Sequence, residues 1–325
     1  MRRRILVTGG CGFIGSHLCE ALVARGDHVR VLDDLSTGRV DALPEGAELL
    51  RGDVADQVLV REAMAGVDGC VHLAAVASVE KGVEDWLGTH RTNLTGAITI
   101  FDAARRAAAE AGRAIPVVYA SSAAVYGDAA AQPIEESAPL RPLSAYGADK
   151  LGCELHARVA GAVHGVPTLG LRFFNVFGPR QAPGSPYSGV ISIFCDRVGR
   201  GAPVRIFGDG LQTRDFIHVG DVVAALLAGF DAASPTAPVY NVCSGMACSV
   251  RDLLDRIARL TGREPVVTHE EPRKGEIRHS LGSPRLARER LRLGPAGDLD
   301  RGLRTVLDWM AGEAARRAIS EKADQ

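Results

Sequence analysis

Short apolar runs alternate with longer stretches in which apolar residues return every three or four positions. The runs at 4–8, 28–32, 47–51, 70–73, 115–120 and 167–172 predict strands, and the stretches at 13–25, 56–64, 85–111 and 144–164 predict helices. Strand–helix alternation of this kind builds a parallel sheet covered on both faces, a doubly wound α/β fold. After residue 172 the pattern changes. GPRQAPGSPYSG (178–189) reads as a loop. A helix at 190–200, a strand at 203–207, TRDFIHV, a helix at 220–230 and a strand in VYNVCSG follow. SVRDLLDRIARLTG and a helix near 300–313 suggest a smaller mixed α/β lobe, and the charged tail 314–325 is expected to fray. The expected division is 1–175, rejoined by 215–243, against 176–214 with 244–313.

The first strand–helix unit carries chemistry. RILVTGGCGFIGSHLCEALVARG passes from an apolar strand through a glycine turn into a helix. Gly9, Gly12 and Gly15 are spaced GxxGxxG, and Gly10, Gly12 and Gly15 also satisfy GxGxxG. Such glycines allow a tight turn and close approach to a pyrophosphate, while the helix N-terminus supplies free N–H groups. The next strand, HVRVLDDL, ends in Asp33 and Asp34, where an acid meets the adenosine ribose of a dinucleotide. Carboxylates there repel a 2′-phosphate, so NAD is expected rather than NADP, on a Rossmann-type sheet.

Tyr146 and Lys150 are four apart in SAYGADKLGCEL and so share one helix face. A nearby cation favours a phenolate, which turns a weak acid into a usable base. YxxxK alone also fits an ordinary exposed helix. Its place downstream of the glycine turn and of Ser121-Ser122 gives it weight.

Composition narrows the setting. The 325 residues carry a net charge of −1, with 24% charged residues well mixed, which argues against a nucleic-acid surface or a polybasic membrane patch. MRRRILVTGG breaks into glycines too early for a signal peptide, and no stretch is long enough to cross a bilayer. The seven cysteines are scattered, form no CxxC and lie beside no His cluster. They read as small core residues of a cytoplasmic protein, neither disulfides nor metal ligands. Helices 85–111 and 144–164 could pair with copies of themselves in a homodimer, or simply cover their own sheet.

Nine pieces occur in a fixed order: TGGCGFIGSH, LDDLSTG, RGDVAD, VHLAA, ASSAAVYG, YGADK, LRFFNVFGPR, IFGDGLQTRDFIHVGD and PRKGEIRHS. Together they resemble the extended short-chain dehydrogenase/reductases, and most closely the NAD-dependent nucleotide-sugar 4-epimerases. The resemblance implies that Ser122 hydrogen-bonds the reacting sugar oxygen, Tyr146 removes its proton, and Lys150 holds the nicotinamide ribose. It places Phe13, Ile14, Val54, Phe173 and the run from His72 through Leu73 and Ala74 to Ala75 along the cofactor. Asp53 would meet the adenine, or else cap a helix. Asn93 would order the active-site backbone, or be a buried structural amide. His72 alone reads more naturally as a hydrogen-bonded strand residue than as a catalytic one. Asn175, Val190, Arg214 and Arg273 would hold the nucleotide sugar, and a guanidinium fork suits phosphate oxygens. The arginines could instead pair with Asp215 and Glu276.

The same resemblance separates reactions. Sugar dehydratases carry Asp-Glu after the catalytic Ser or Thr, and UDP-glucuronate decarboxylases a Glu. Here Ala123 and Ala124 stand in those places and cannot transfer protons. A 4-keto-sugar reductase stays open, as does a silent nucleotide-binding scaffold. Ser280 falls where a small residue is associated with N-acetylated sugars, or it merely ends a strand. The substrate expected is UDP-linked, of the Glc/Gal or GlcNAc/GalNAc type. UDP-glucuronate remains an alternative, with Arg180 or Arg278 as partners for its carboxylate.

Overall fold

The computed structural model describes residues 2–77, 79–184, 189–272 and 277–323. The amino-terminal part runs β1 (Arg4–Thr8), α1 (Phe13–Ala24), β2 (His28–Asp33), β3 (Glu48–Arg51), α2 (Gln57–Met64), β4 (Gly69–His72), α3 (Val79–Glu84), α4 (Trp86–His90), α5 (Gly96–Ala111), β5 (Val117–Ser122), α6 (Ala145–His164) and β6 (Thr168–Phe173). There follow β7 (Asn175–Phe177), α7 (Val190–Gly199), β8 (Val204–Phe207), β9 (Thr213–His218), α8 (Val219–Ala232), β10 (Val239–Val242), β11 (Ala247–Ser249), α9 (Val250–Thr261), β12 (Val267–Glu270), α10 (Arg285–Leu291) and α11 (Leu299–Ala323).

Seven strands form one parallel sheet in the order β10-β6-β5-β4-β1-β2-β3. The order reverses beside β1, so the crevice for a ligand opens at the carboxyl ends of β1 and β4. Alternate residues of each strand enter separate cores. Val118, Leu169 and Leu171 pack with α1 and α8, whereas Val117 and Tyr119 pack with α2, α5 and α6. A third core joins α7, α9 and α11 over a small sheet ordered β11-β9-β7, and β12 pairs with β8.

Several expectations are refined. Residues 85–111 do not form one uniform helix. Asp85 caps α4 through the Gly88 N–H, and 91–95 is a turn of π-helix before α5. The Ala-rich periodicity of the sequence carries no sign of that extra residue per turn. Of 215–243, α8 and β10 lie on the large sheet, whereas β9 pairs in the small one. The last helix, α11, continues past residue 314 to Ala323. All seven cysteines are buried and unbridged. Among the described residues no helix is long and apolar enough to cross a membrane, and no cluster of three His, Cys, Asp or Glu could hold a metal.

Candidate active site

A cleft of about 300 Å³ opens over the carboxyl ends of the large sheet. Its floor is the β1–α1 turn. Gly9 has φ 69°, and a Cβ there would stand 2.7 Å from the Ala74 nitrogen. Gly15 lies so close to the Gly9 carbonyl that no side chain fits between them. α1 starts at Gly12 with no side-chain cap and no acid in its first turn. First-turn N–H groups lack partners within a helix. Gly12, Phe13, Ile14 and Gly15 present that end of α1 to the cleft.

The walls follow from the strand ends. Asp33 closes β2, buried, with Oδ2 accepting the Cys11 N–H and Oδ1 the Leu35 N–H, each at 2.9 Å. Burial pushes its carboxyl above the usual range, and the two N–H groups partly oppose the shift. Each oxygen keeps a lone pair for a further donor. Asp34 is exposed and holds its own turn through Ser36. Asp53 and Val54 line the cleft. The cap of α2 is Asp56, which accepts the Val58 and Leu59 N–H groups, so Asp53 does not cap that helix. Leu73, Ala74 and Ala75 form the opposite wall.

His72 does not join that wall. It is buried in β4 with Nδ1 2.8 Å from Thr8 Oγ1. Burial first, and then the Lys150 charge, push its pKa down to about 3. Asn93 is also absent from the wall. It sits fully buried in the π turn, accepting the Val76 N–H at 2.7 Å and donating to the Val76 carbonyl at 3.1 Å. Its amide therefore fixes the cleft-lining backbone beyond β4.

The reacting end is built by α6 against β5. Ser144 caps α6 by accepting the Gly147 N–H at 3.1 Å, which sets Tyr146 in the first turn. Gly147 allows that turn to approach the turn after β5, since a Cβ there would lie 2.7 Å from the Ala124 carbonyl oxygen. Lys150, one turn on, is buried; its Nζ donates to the Ala120 carbonyl at 2.9 Å and lies 5.7 Å from the Tyr146 ring centre. Tyr146, Lys150 and Phe173 line the cleft. Ala120 and Ser121 of β5 also line the cleft; Ser122, which ends β5, is outside that lining, and its Oγ accepts the Ala124 N–H at 3.2 Å, which leaves the hydroxyl proton for another acceptor.

The sugar-side candidates lie outside the cleft lining, on the small lobe. Asn175 opens β7, beside Phe216 of β9. Arg214 is on β9, with Nη1 donating to the Thr213 carbonyl. Ser280 donates its N–H to that same carbonyl, so Arg214 and Ser280 converge on one point. Val190 begins α7 and packs at the edge of the third core. Arg273 and Glu276 lie outside the described residues. Sequence reasoning missed Ser36, Thr37, Gly38, Thr92 and Gln181 as lining groups. The first three continue the LDDLSTG motif and were legible there; Gln181 sits in a loop with no local signal.

The chain matches the NAD dependent epimerase/dehydratase family over residues 5–243 and belongs to it. It is 35% identical over 308 residues to a putative UDP-glucose 4-epimerase of Methanocaldococcus jannaschii, covering 94% of this chain and 98% of the relative. The UDP-glucose 4-epimerase of Thermotoga maritima, solved with UDP-glucose, superposes with a TM-score of 0.89 at 32% identity, over 96% of this chain and 99% of the other. The UDP-N-acetylglucosamine 4-epimerase of Methanobrevibacter ruminantium, solved with UDP-N-acetylmuramic acid, gives 0.90 at 32% identity and the same coverage. The cofactor is NAD, and the cleft fits it: a side-chain-free cradle at Gly9 and Gly15, an uncapped helix end, and an acid at the end of β2.

Two predictions follow from this geometry. Gly9→Ala places a methyl in the cradle at a left-handed φ, and NAD affinity measured by calorimetry should fall at least about tenfold; unchanged affinity would contradict the cradle. His72 is held neutral, so the unfolded chain takes up its proton first. Stability present above pH ~6.5 should be lost as pH falls towards 3, by on the order of 4 kcal/mol in full. Urea unfolding at pH 7 and pH 5 should show a smaller acid loss in His72→Asn than in the parent chain.

Proposed function

We propose that this chain interconverts the C4 epimers of a UDP-linked hexose, with NAD held throughout the cycle. The observation that carries the reading is Tyr146 and Lys150 on one face of α6, both lining the NAD cleft at the end of β5, the strand that ends in Ser122. Bound NAD supplies a reversible acceptor for the C4 hydrogen and its electron pair. Tyr146 takes the C4 hydroxyl proton, and Ser122 donates a hydrogen bond to the same oxygen. Lys150, anchored on the Ala120 carbonyl, places a positive charge beside the phenol where its negative charge develops. The 4-keto sugar then turns over while its diphosphate stays bound, and Tyr146 returns the proton on the other face.

The small lobe is the seat of the nucleotide sugar in this reading. Residues 1–175, rejoined by 215–243, hold NAD, and 176–214 with 244–313 hold the substrate through Val190, Arg214, Arg273 and Ser280, joined by Asn175 at the boundary. Ala123 and Ala124 follow Ser122, so no side chain there can eliminate water or drive decarboxylation. Ser280 leaves room beside C2, which favours admission of N-acetylated sugars. Arg180 is already bidentate to Glu20, and Arg278 to Asp209, which favours a neutral hexose over a uronate. The relatives' UDP-sugar names support the nucleotide.

The working unit in this proposal is a homodimer. Leu155, Val159 and Val163 form an i, i+4, i+8 stripe on α6, each at least half exposed, and α6 packs beside α5, which adds Ile98. Such a stripe suits a self-complementary helix pair.

UDP-Glc, UDP-GlcNAc and UDP-GlcA, each supplied without added reductant, should give C4 epimers detectable by NMR for one of the neutral pairs or both. Tyr146→Phe should lower kcat by about 10² to 10⁴-fold. Turnover of UDP-GlcA alone would replace the hexose reading with the uronate one, and no turnover of any of them would contradict the UDP-sugar assignment. Light scattering should give twice the 34.3 kDa chain mass, and Leu155→Glu with Val159→Glu should give the monomer.

A further inference from the structure

We propose that Glu154, bridged to Arg172 and Ser121, is the positioning residue that sets α6, and with it Tyr146 and Lys150, against the end of β5. The inference rests on the epimerase reading above for the roles of those two residues. Its own basis is a buried polar network that the reaction does not use.

Glu154 is four residues beyond Lys150 and eight beyond Tyr146 on α6, and is buried. Oε1 accepts the Ser121 hydroxyl at 2.5 Å and the Arg172 Nε–H at 2.8 Å; Oε2 accepts Arg172 Nη2 at 2.7 Å. Ser121 and Arg172 are facing partners across β5 and β6, and the next rung is Ser122 with Phe173. One carboxylate therefore fastens α6 to both strands at the rung of the cleft-lining Ser121, immediately before the rung of Ser122 and the cleft-lining Phe173. A bidentate pair fixes direction as well as distance.

The guanidinium extends the brace. Arg172 Nη1 donates to the Tyr126 hydroxyl at 2.7 Å and to the Glu136 carbonyl at 3.2 Å, and its plane lies over the Tyr126 ring. Tyr126 donates to Asn241 Oδ1 at 2.6 Å, and Asn241 donates its N–H to Glu136. The turn after Ser122 and strand β10 are thus tied to the same pair. A buried ion pair is a poor source of net stability compared with well-packed apolar residues, although removing one partner alone is costly. What it supplies here is register. Lys150 Nζ meets the Ala120 carbonyl only if α6 keeps its height along β5.

Glu154→Gln and Ser121→Ala test the brace directly. Because Glu154→Gln leaves Arg172 buried and unpaired, it can fail to fold. The double variant Glu154→Met with Arg172→Met removes both charges and keeps the volume. The expected result is a double variant that melts at or above the parent temperature and retains NAD. Its kcat should fall about tenfold or more, with KM held within about threefold, since a small misplacement of reacting groups costs rate more than binding. Its crystal structure should show Lys150 Nζ out of hydrogen-bond reach of the Ala120 carbonyl. A double variant with parental kcat and the 2.9 Å contact intact would overturn the proposal and leave the pair a structural one. The crystallographic arm needs no turnover. If the parent chain converts no UDP sugar, the substrate reading fails while this arm still decides the role of Glu154.

Discussion

The ammonium of Lys150 is a charge carried into the protein, and the architecture around it exists to hold it there. An unpaired buried charge costs several kcal/mol or more, so the chain must supply partners in place of water. The Ala120 carbonyl is one such partner, available because β5 ends at the cleft. The position of Lys150 depends on α6, whose start is set by Ser144 and whose middle is tied to β5 and β6 through Glu154. Tyr146, its ring centre 5.7 Å from the Lys150 Nζ, lines the cleft with it. In the proposed reaction, the cost of burying the ammonium becomes a field aimed at the place where the Tyr146 phenolate forms, before any substrate arrives.

The dinucleotide half was legible because its signals are local. β1 was read residue for residue, and α1, α2 and α6 within a residue or two, since the apolar period starts after the glycine turn in α1 and after the capping Asp56 and Ser144 in α2 and α6. The glycine turn and Asp33 lie within one strand–helix–strand unit, so spacing alone brings them to one cleft. The NAD dependence and epimerase class read from the nine ordered motifs agree with the family match over residues 5–243.

What was not legible depends on contacts between distant segments. Nothing around residue 93 announces a π turn, because the residues before and after it read as one helix; only the packing of Asn93 on Val76 reveals its purpose. The 172–154 ion pair joins a strand that reads as apolar to a helix, 18 residues apart. His72 was drawn towards the cofactor by its motif, yet strand geometry turns it to Thr8. Arg214 and Ser280 share the Thr213 carbonyl, and Asn175 pairs with Phe216 further along the same strand, an arrangement that no local spacing encodes.

The central claim is that the sugar is oxidised and restored at one carbon without leaving the protein. It is tested most directly with a UDP sugar carrying deuterium at C4, mixed with a carbon-13-labelled copy of the same sugar in ordinary water. The account predicts that both epimers keep their deuterium at C4 and that none crosses to the carbon-13 molecules. Loss of deuterium to solvent, or its appearance on the carbon-13 sugar, would contradict it.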